Sequence, residues 1–97
     1  MGTRIFEVDF DVYGVYVDTA TIQLDERVID AVTDEWRSNF YNLHTPEEIA
    51  QHIAYNIVIH KWKLSDLDGW ADMPDEYAKI MEWPNLDQWE TTAKELV

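Results

Sequence analysis

Apart from Arg4 and Ile5, residues 4–12 alternate between apolar and acidic side chains, and this pattern constrains the fold more than any other feature of the sequence. The apolar set is Phe6, Val8, Phe10 and Val12, and the acidic set is Glu7, Asp9 and Asp11. Successive side chains of a β-strand point to opposite faces of the sheet, so a two-residue period predicts a half-buried strand. One face of that strand is acidic along its length.

The dipeptide Tyr13-Gly14 follows this strand and predicts a hairpin turn, because glycine suits the second position of a two-residue loop. The hairpin predicts the cross-strand pairs Val12–Val15, Phe10–Val17 and Asp9–Asp18. The pair of aspartates would set like charges opposite each other, which lowers stability. A glycine bulge within one long strand is the alternative.

Two helices are predicted in the middle of the chain. Asp25 is a favourable N-cap, and the helical spacing of Val28, Ile29, Val32, Trp36 and Phe40 predicts a helix over about 26–41 with Trp36 buried. The run Thr45-Pro46-Glu47-Glu48 is a capping box with proline at the first helical position, and it predicts a helix over 46–60.

The C-terminal third is less regular. We expect a short helical turn that ends at Gly69, and a second short helix that begins at Pro74, contains Tyr77, Ile80 and Met81, and ends before Pro84. Residues 86–97 fit either a helix, which the spacing of Leu86, Trp89, Ala93 and Leu96 favours, or a strand added to the hairpin. The predicted fold is one α+β domain over 1–97: a small antiparallel sheet packed by two main helices and one or two short ones.

Composition excludes several classes of protein. The 97 residues include no cysteine, which rules out disulfides and thiol chemistry and is typical of a reducing compartment. No apolar run is long enough to span a membrane, and the N-terminal residues lack the basic and apolar regions of a signal peptide. We therefore expect a cytoplasmic protein.

No catalytic or metal-binding motif is complete. If Gly69 takes the glycine position of a calcium loop, Leu64 occupies the first ligand position and Asp75 the last, where an acid and a glutamate are required. An acidic turn whose aspartates cap backbone amides is expected instead. His44 precedes the helix cap and is misdirected for joint ligation with Glu48 and His52. We expect no cofactor, no metal and no enzymatic activity.

The net charge is the strongest functional signal. Seven bases and 20 acids give −13, whereas solubility alone needs a magnitude of only about 2–8 in a small domain. Such a chain is unsuited to direct contact with nucleic acid or an anionic membrane. The surplus predicts a basic protein partner.

The leading hypothesis is an acidic mimic of DNA or RNA that blocks the nucleic-acid site of a basic protein. Phages and mobile elements use small acidic chains without cysteine in this way against restriction and CRISPR systems, which is an analogy of class and not of residues. An acidic immunity protein or antitoxin that neutralises a basic toxin is one alternative, and an acidic adaptor is another.

Two surfaces are candidates for the contact with such a partner. The first is the strand face, with Asp18 of the next strand expected to widen the row of Glu7, Asp9 and Asp11. The second is in the C-terminal third, where two bases and nine acids give net −7 over residues 64–97. The residues expected there are Asp66, Asp68, Asp72, Asp75 and Glu76, with Trp70 and Trp89 as exposed aromatic anchors.

Overall fold

A computed structural model describes residues 2–12 and 14–85. The strands are β1 (Thr3–Val12), β2 (Val15–Asp25) and β3 (Ala78–Glu82), which form an antiparallel sheet in the order β1-β2-β3. The helices are α1 (Glu26–Asp30), α2 (Asp34–Asn39) and α3 (Pro46–His60), and 3₁₀ turns cover Leu64–Asp66 and Asp75–Tyr77. The predicted α+β class is confirmed. The question of helix or strand at residues 86–97 lies outside the described residues.

The β1–β2 hairpin turns where the sequence predicts, with Val12 paired to Val15 and Gly14 at φ +79°. The predicted register beyond the turn is wrong. A bulge between Phe10 and Asp11 pairs Phe10 with Asp18 and Asp9 with Thr19. One extra residue on β2 thus removes the repulsive pair of aspartates, and a threonine that can donate a hydrogen bond takes its place.

A third strand replaces the short helix expected after Pro74. Only Asp75–Tyr77 forms a 3₁₀ turn, and the chain then enters β3, which pairs with β2. Ala78 and Ile80 are buried while Lys79 is exposed, so the strand alternates as a half-buried strand should up to Ile80; an irregularity in the register then leaves both Met81 and Glu82 exposed. The apolar positions in this short segment fit both the helical period and the two-residue period of a strand. Hydrogen bonding to β2 stabilises the strand.

The helix predicted over 26–41 is two short helices. α1 begins after its predicted N-cap Asp25, whose carboxylate accepts a hydrogen bond from the backbone N–H of Arg27. The chain then leaves the helical path, and Thr33 caps α2 by accepting from the N–H of Trp36. A threonine hydroxyl can accept a hydrogen bond from a nearby backbone N–H. Here this favours the start of a new helix over the continuation of α1. Trp36 is buried as predicted, whereas Phe40 is exposed.

Helix α3 has the bounds that its capping box predicts. The Thr45 hydroxyl accepts from the N–H of Glu48, and the Glu48 carboxylate accepts from the N–H of Thr45. The helix ends at Lys61, which adopts the left-handed conformation at φ 60°. The long and regular α3 packs across the inner face of β1 and β2.

The core lies between the inner face of the sheet and the helices. It joins residues of all three strands to α1, α2 and α3 and to the loop that follows α3. The largest fully buried side chain is Trp70, whose Nε1 donates to the carbonyl oxygen of Val28 over 3.1 Å. Within residues 2–12 and 14–85, no helix is both long enough and apolar enough to cross a membrane.

Candidate protein-binding surface

The outer face of β1 carries a row of carboxylates. Glu7, Asp9 and Asp11 are exposed, while Val8 and Phe10 between them are buried, as the alternation predicts. Across the part of the chain that the structure describes, no ion pair neutralises these acids: the ion pairs found there join Arg27 to Asp25 and Arg37 to Asp34. Three carboxylates are thus presented to solvent at regular intervals from one rigid strand.

The strand register brings a fourth acid onto this face. Thr21 pairs with Glu7 on one side and with Glu82 of β3 on the other, so these three residues lie in one row across the sheet. Glu82 is exposed. Sequence reasoning misses it because the pattern of this segment favours a helix. We call this surface the acidic sheet face; its acids are Glu7, Asp9, Asp11 and Glu82.

Among the described residues, the same face also includes Asp25, which is opposite Thr3 and forms an ion pair with Arg27, and the base Lys79. Lys79 pairs with Gln23, which also pairs with Ile5, so the lysine lies at the end of the sheet where β1 begins. The acids of the acidic sheet face extend from the next row toward the hairpin turn. The face is therefore polarised along the strands, with its negative end at the turn.

A hydrogen-bonded chain holds one of these acids in place. The Thr19 hydroxyl donates to Oδ1 of Asp9 over 2.7 Å, and the hydroxyl oxygens of Tyr16 and Thr19 are 2.9 Å apart. Since the single Thr19 proton goes to Asp9, the Tyr16 hydroxyl is the donor to Thr19. These two hydrogen bonds hold the Asp9 carboxylate in place. The Tyr16 ring lies beside it and is 60% exposed.

Tyr16 is an exposed aromatic residue at a position where the sequence does not predict one. It pairs with Asp11 across the hairpin, so its ring lies on the acidic sheet face. The prediction that Trp70 is such an anchor is wrong: only 1% of its surface is exposed, and it fills the core. Its isolated position in the sequence conceals a contact with α1, 42 residues away. Trp89 lies outside the described residues.

Asp18 does not widen the acidic row, contrary to expectation. Its partner is Phe10, whose side chain is buried, and directly opposite residues share a face of the sheet. Asp18 accepts hydrogen bonds from the backbone N–H groups of Asn85 and Thr19, and these two bonds lower its pKa. The carboxylate therefore ties the end of β3 to the hairpin.

The five acids predicted at residues 66–76 divide into those that cap backbone amides and those that do not. Asp66 accepts from the backbone N–H of Lys63, and Asp75 accepts from that of Ser65, which confirms the expected capping of backbone amides. Hydrogen bonds from the side chain and backbone of Ser65 lower the pKa of Asp75. The other three of the five acids are exposed and cap no backbone amide among the described residues; they are Asp68, Asp72 and Glu76.

A cleft of about 360 Å³ lies between α3 and β1. Glu48 lines it, and the backbone N–H groups of His44 and Thr45 lower the pKa of this carboxyl, so it is ionised at neutral pH. His52 also lines the cleft, but its Nε2 atom is buried with no hydrogen-bond partner among the described residues, and burial lowers its pKa. Within the same part of the chain, no three acidic or histidine side chains gather as metal ligands would.

Comparisons with protein-family models, with curated proteins and with solved structures found no match to this chain.

Proposed function

We propose that this protein is a non-catalytic inhibitor that binds a basic, nucleic-acid-handling protein and occupies its nucleic-acid site. The observation that carries the proposal is the acidic sheet face. Among the described residues, and apart from the ion pair of Asp25 with Arg27, it presents four acids against one base, on a sheet whose backbone hydrogen bonds hold them in position.

The spacing of the acids suits mimicry of a nucleic-acid backbone. Alternate residues on a strand lie about 6.7 Å apart, since each residue advances the strand by roughly 3.3 Å. One strand of a duplex carries a charge every ~3.4 Å of axial rise, and because the phosphates wind around the axis, their through-space separation is of similar order to that of the acids. Lysine and arginine side chains arranged for phosphates can therefore meet Glu7, Asp9 and Asp11.

The charge of the whole chain supports the same class of partner. At −13, long-range attraction steers a basic protein toward this one and raises the association rate, while a few desolvated contacts determine how long the complex lasts. Tyr16 is placed for such a contact, because its exposed ring stands beside the fixed carboxylate of Asp9. Arginine stacks on aromatic rings and pairs with carboxylates at the same time.

The sheet face is favoured over the C-terminal acids because fewer of its carboxylates accept hydrogen bonds from the protein itself. Asp66 and Asp75 cap local backbone amides, and a partner would have to compete for them. On β1, the side chains of Glu7 and Asp11 accept no hydrogen bond from the described residues, and Asp9 keeps its second oxygen. The proposed setting is the cytoplasm, where nucleases and CRISPR effectors act, with a phage or mobile element as the source of the chain.

The proposal is tested by capture from a bacterial lysate on three immobilised forms of the protein, followed by mass spectrometry. The first is the native chain, the second carries Glu7→Gln, Asp9→Asn and Asp11→Asn, and the third carries Asp68→Asn, Asp72→Asn and Glu76→Gln. Each variant loses three of the negative charges behind the native −13, so the two share a net charge of −10. They also replace the same residue types, so only the location of the change differs.

We expect a basic nucleic-acid-binding protein to be retained by the native chain and by the third form, lost from the second, and released by added duplex DNA or RNA. A captured protein that binds nucleic acid and the native chain simultaneously contradicts the proposal. Recovery of a small toxin whose active site does not bind nucleic acid would instead support an immunity protein.

A further inference from the structure

An exposed aromatic surface lies at the carboxyl end of α3. The exposed fractions are 50% for Tyr55, 46% for Trp62 and 57% for Trp83. The His60 ring joins two of them, with centroids 5.4 Å from Tyr55 and 5.4 Å from Trp62. Lys61 Nζ lies 5.5 Å from the centroid of Trp83. We call this surface the aromatic patch; it consists of Tyr55, His60, Lys61, Trp62 and Trp83.

The patch exposes a substantial apolar area to water. An aromatic side chain can bury roughly 150–250 Å², so three that are about half exposed leave on the order of 300 Å² accessible. That is comparable to the largest apolar patch of a typical monomeric protein, which is often a functional surface. The described core is already filled by other residues, and these three are not needed to complete it.

The backbone holds the patch in a defined shape. Lys61 ends α3 in the left-handed conformation, which a residue with a side chain adopts at a cost of about 1 kcal/mol. The N–H of Trp62 then donates to the carbonyl oxygen of Asn56 over 3.2 Å. This turn directs the chain away from the helix axis and presents Trp62 beside His60 and Lys61.

The charges around the patch differ from those of the rest of the molecule. Lys61 belongs to it, the exposed Lys63 follows Trp62 by one residue, and the exposed Glu82 directly precedes Trp83. The patch and its immediate neighbours thus carry both signs of charge, with Glu82 at the edge that they share with the acidic sheet face, whereas the rest of that face is overwhelmingly negative. A surface that meets its own copy about a two-fold axis must be self-complementary, which requires both signs or neither.

We propose that the occupant of the aromatic patch is a second copy of this chain, in a weak symmetric dimer. Two molecules of charge −13 repel, so they can meet only where acids are few and apolar surface is exposed. In the symmetric contact, Trp62 and Trp83 of both copies pack at the centre, and Lys61 and Lys63 of each copy lie within reach of acids on the other. The acids of β1 on the acidic sheet face, Glu7, Asp9 and Asp11, remain available for other partners.

Added salt is expected to strengthen this dimer. Apolar contacts hold it and repulsion between like-charged molecules opposes it, so screening by salt strengthens the self-association. A complex between an acidic and a basic protein weakens under the same change. Salt therefore distinguishes this interface from the one proposed for the acidic sheet face, and either can fail without the other.

The test is sedimentation velocity of the full chain between roughly 10 and 500 µM, a range suited to an interface smaller than about 1,000 Å². It is run at low and at physiological salt on the native chain, Trp62→Ser, Trp83→Ser and the control Tyr16→Ser. Tyr16 is an equally exposed aromatic residue outside the patch. Urea unfolding of each variant establishes that it is folded.

We expect a concentration-dependent dimer that tightens at least about threefold with added salt, weakens at least about tenfold in each tryptophan variant, and changes less than about twofold in Tyr16→Ser. A native chain that stays monomeric over the whole range overturns the proposal, as does a dimer that weakens with salt. A dimer that both tryptophan variants retain overturns it as well.

Discussion

At Gly69 the backbone lies close to an aromatic ring. Its φ is +95°, and a Cβ placed on it would lie 2.5 Å from Nε1 of Trp36. The same residue offers its carbonyl oxygen to Trp36 Nε1 at 3.3 Å. Trp36 in turn contacts Trp70, with ring centroids 4.8 Å apart. The glycine thus allows the loop after α3 to close over α2 and seal the core.

The substitution Gly69→Ala is expected to lower the free energy of unfolding by about 2–4 kcal/mol, because a left-handed backbone and a clash with a buried indole add together. Urea denaturation measures the change. Gly14→Ala is the control, since Gly14 is also left-handed at φ +79° but has open space within 4 Å of the position that an added Cβ would occupy. It should lose about 1 kcal/mol. Equal losses at the two sites would contradict the packing described at Gly69.

His52 gives the stability a dependence on pH. Burial lowers its pKa in the folded protein, so between the unfolded and folded values the unfolded chain binds more protons. Stability should therefore fall as the pH drops below about 6.5, the ordinary histidine value, and level off below the folded pKa. The ring lies 4.2 Å from that of Tyr41, and in His52→Phe, which keeps a ring there, this part of the decline should vanish. Urea unfolding between pH 7 and pH 5 measures both proteins; parallel curves would refute the assignment.

At the scale of elements, the position of β3 in the sheet determines whether Glu82 shares a surface with the acids of β1. Its pairing with β2 brings Glu82 into the row of Thr21 and Glu7. In a strand, Ile80 points into the core while Met81 is exposed, whereas a helix over the same residues would bury both.

Ile80→Ala is accordingly expected to destabilise the protein by about 2–4 kcal/mol and Met81→Ala by less than about 0.5 kcal/mol. Chemical denaturation of the two variants, which differ by one position and remove a similar apolar volume, measures the contrast. Losses of similar size would indicate a helix in place of β3 and would remove Glu82 from the acidic sheet face.

The elements predicted correctly from the sequence are those that local signals define. The capping box at Thr45 and the alternation in β1 each specify an element without reference to the rest of the chain. The break between α1 and α2 depends on one hydroxyl, that of Thr33, within an otherwise helical pattern. The Phe10–Asp11 bulge depends on which residues face each other across the hairpin, which the pattern of one strand does not contain.

The residues of the candidate site also divide into those that a local pattern predicts and those that depend on contacts distant in the sequence. The three acids of β1 follow from alternation alone. Glu82 and Tyr16 join them only through pairing between strands, and burial of Trp70 depends on a contact with Val28, 42 residues away. Exposure of a tryptophan is a property of the packed molecule, and the residues around it in the sequence do not determine it.

At the scale of the whole molecule, the net charge opposes folding. The described residues form two ion pairs, so most of the described acids repel one another without a basic side chain paired to them. Added sodium chloride screens this repulsion, and the midpoint of thermal unfolding should rise by several degrees between low salt and about 0.3 M. Scanning calorimetry at several salt concentrations measures it. A midpoint that falls with salt would mean that attractive charge pairs dominate instead.

The central claim is that the acidic sheet face binds a basic protein in place of nucleic acid. Stopped-flow association with the captured partner, at low and at physiological salt, tests it most directly. We predict that Glu7→Gln, Asp9→Asn and Asp11→Asn together slow association at low salt by about tenfold or more and flatten its salt dependence, and that the charge-matched Asp68→Asn, Asp72→Asn and Glu76→Gln slow it less than about threefold. Equal slowing by the two triple variants, or an association rate that does not change with salt, would contradict it.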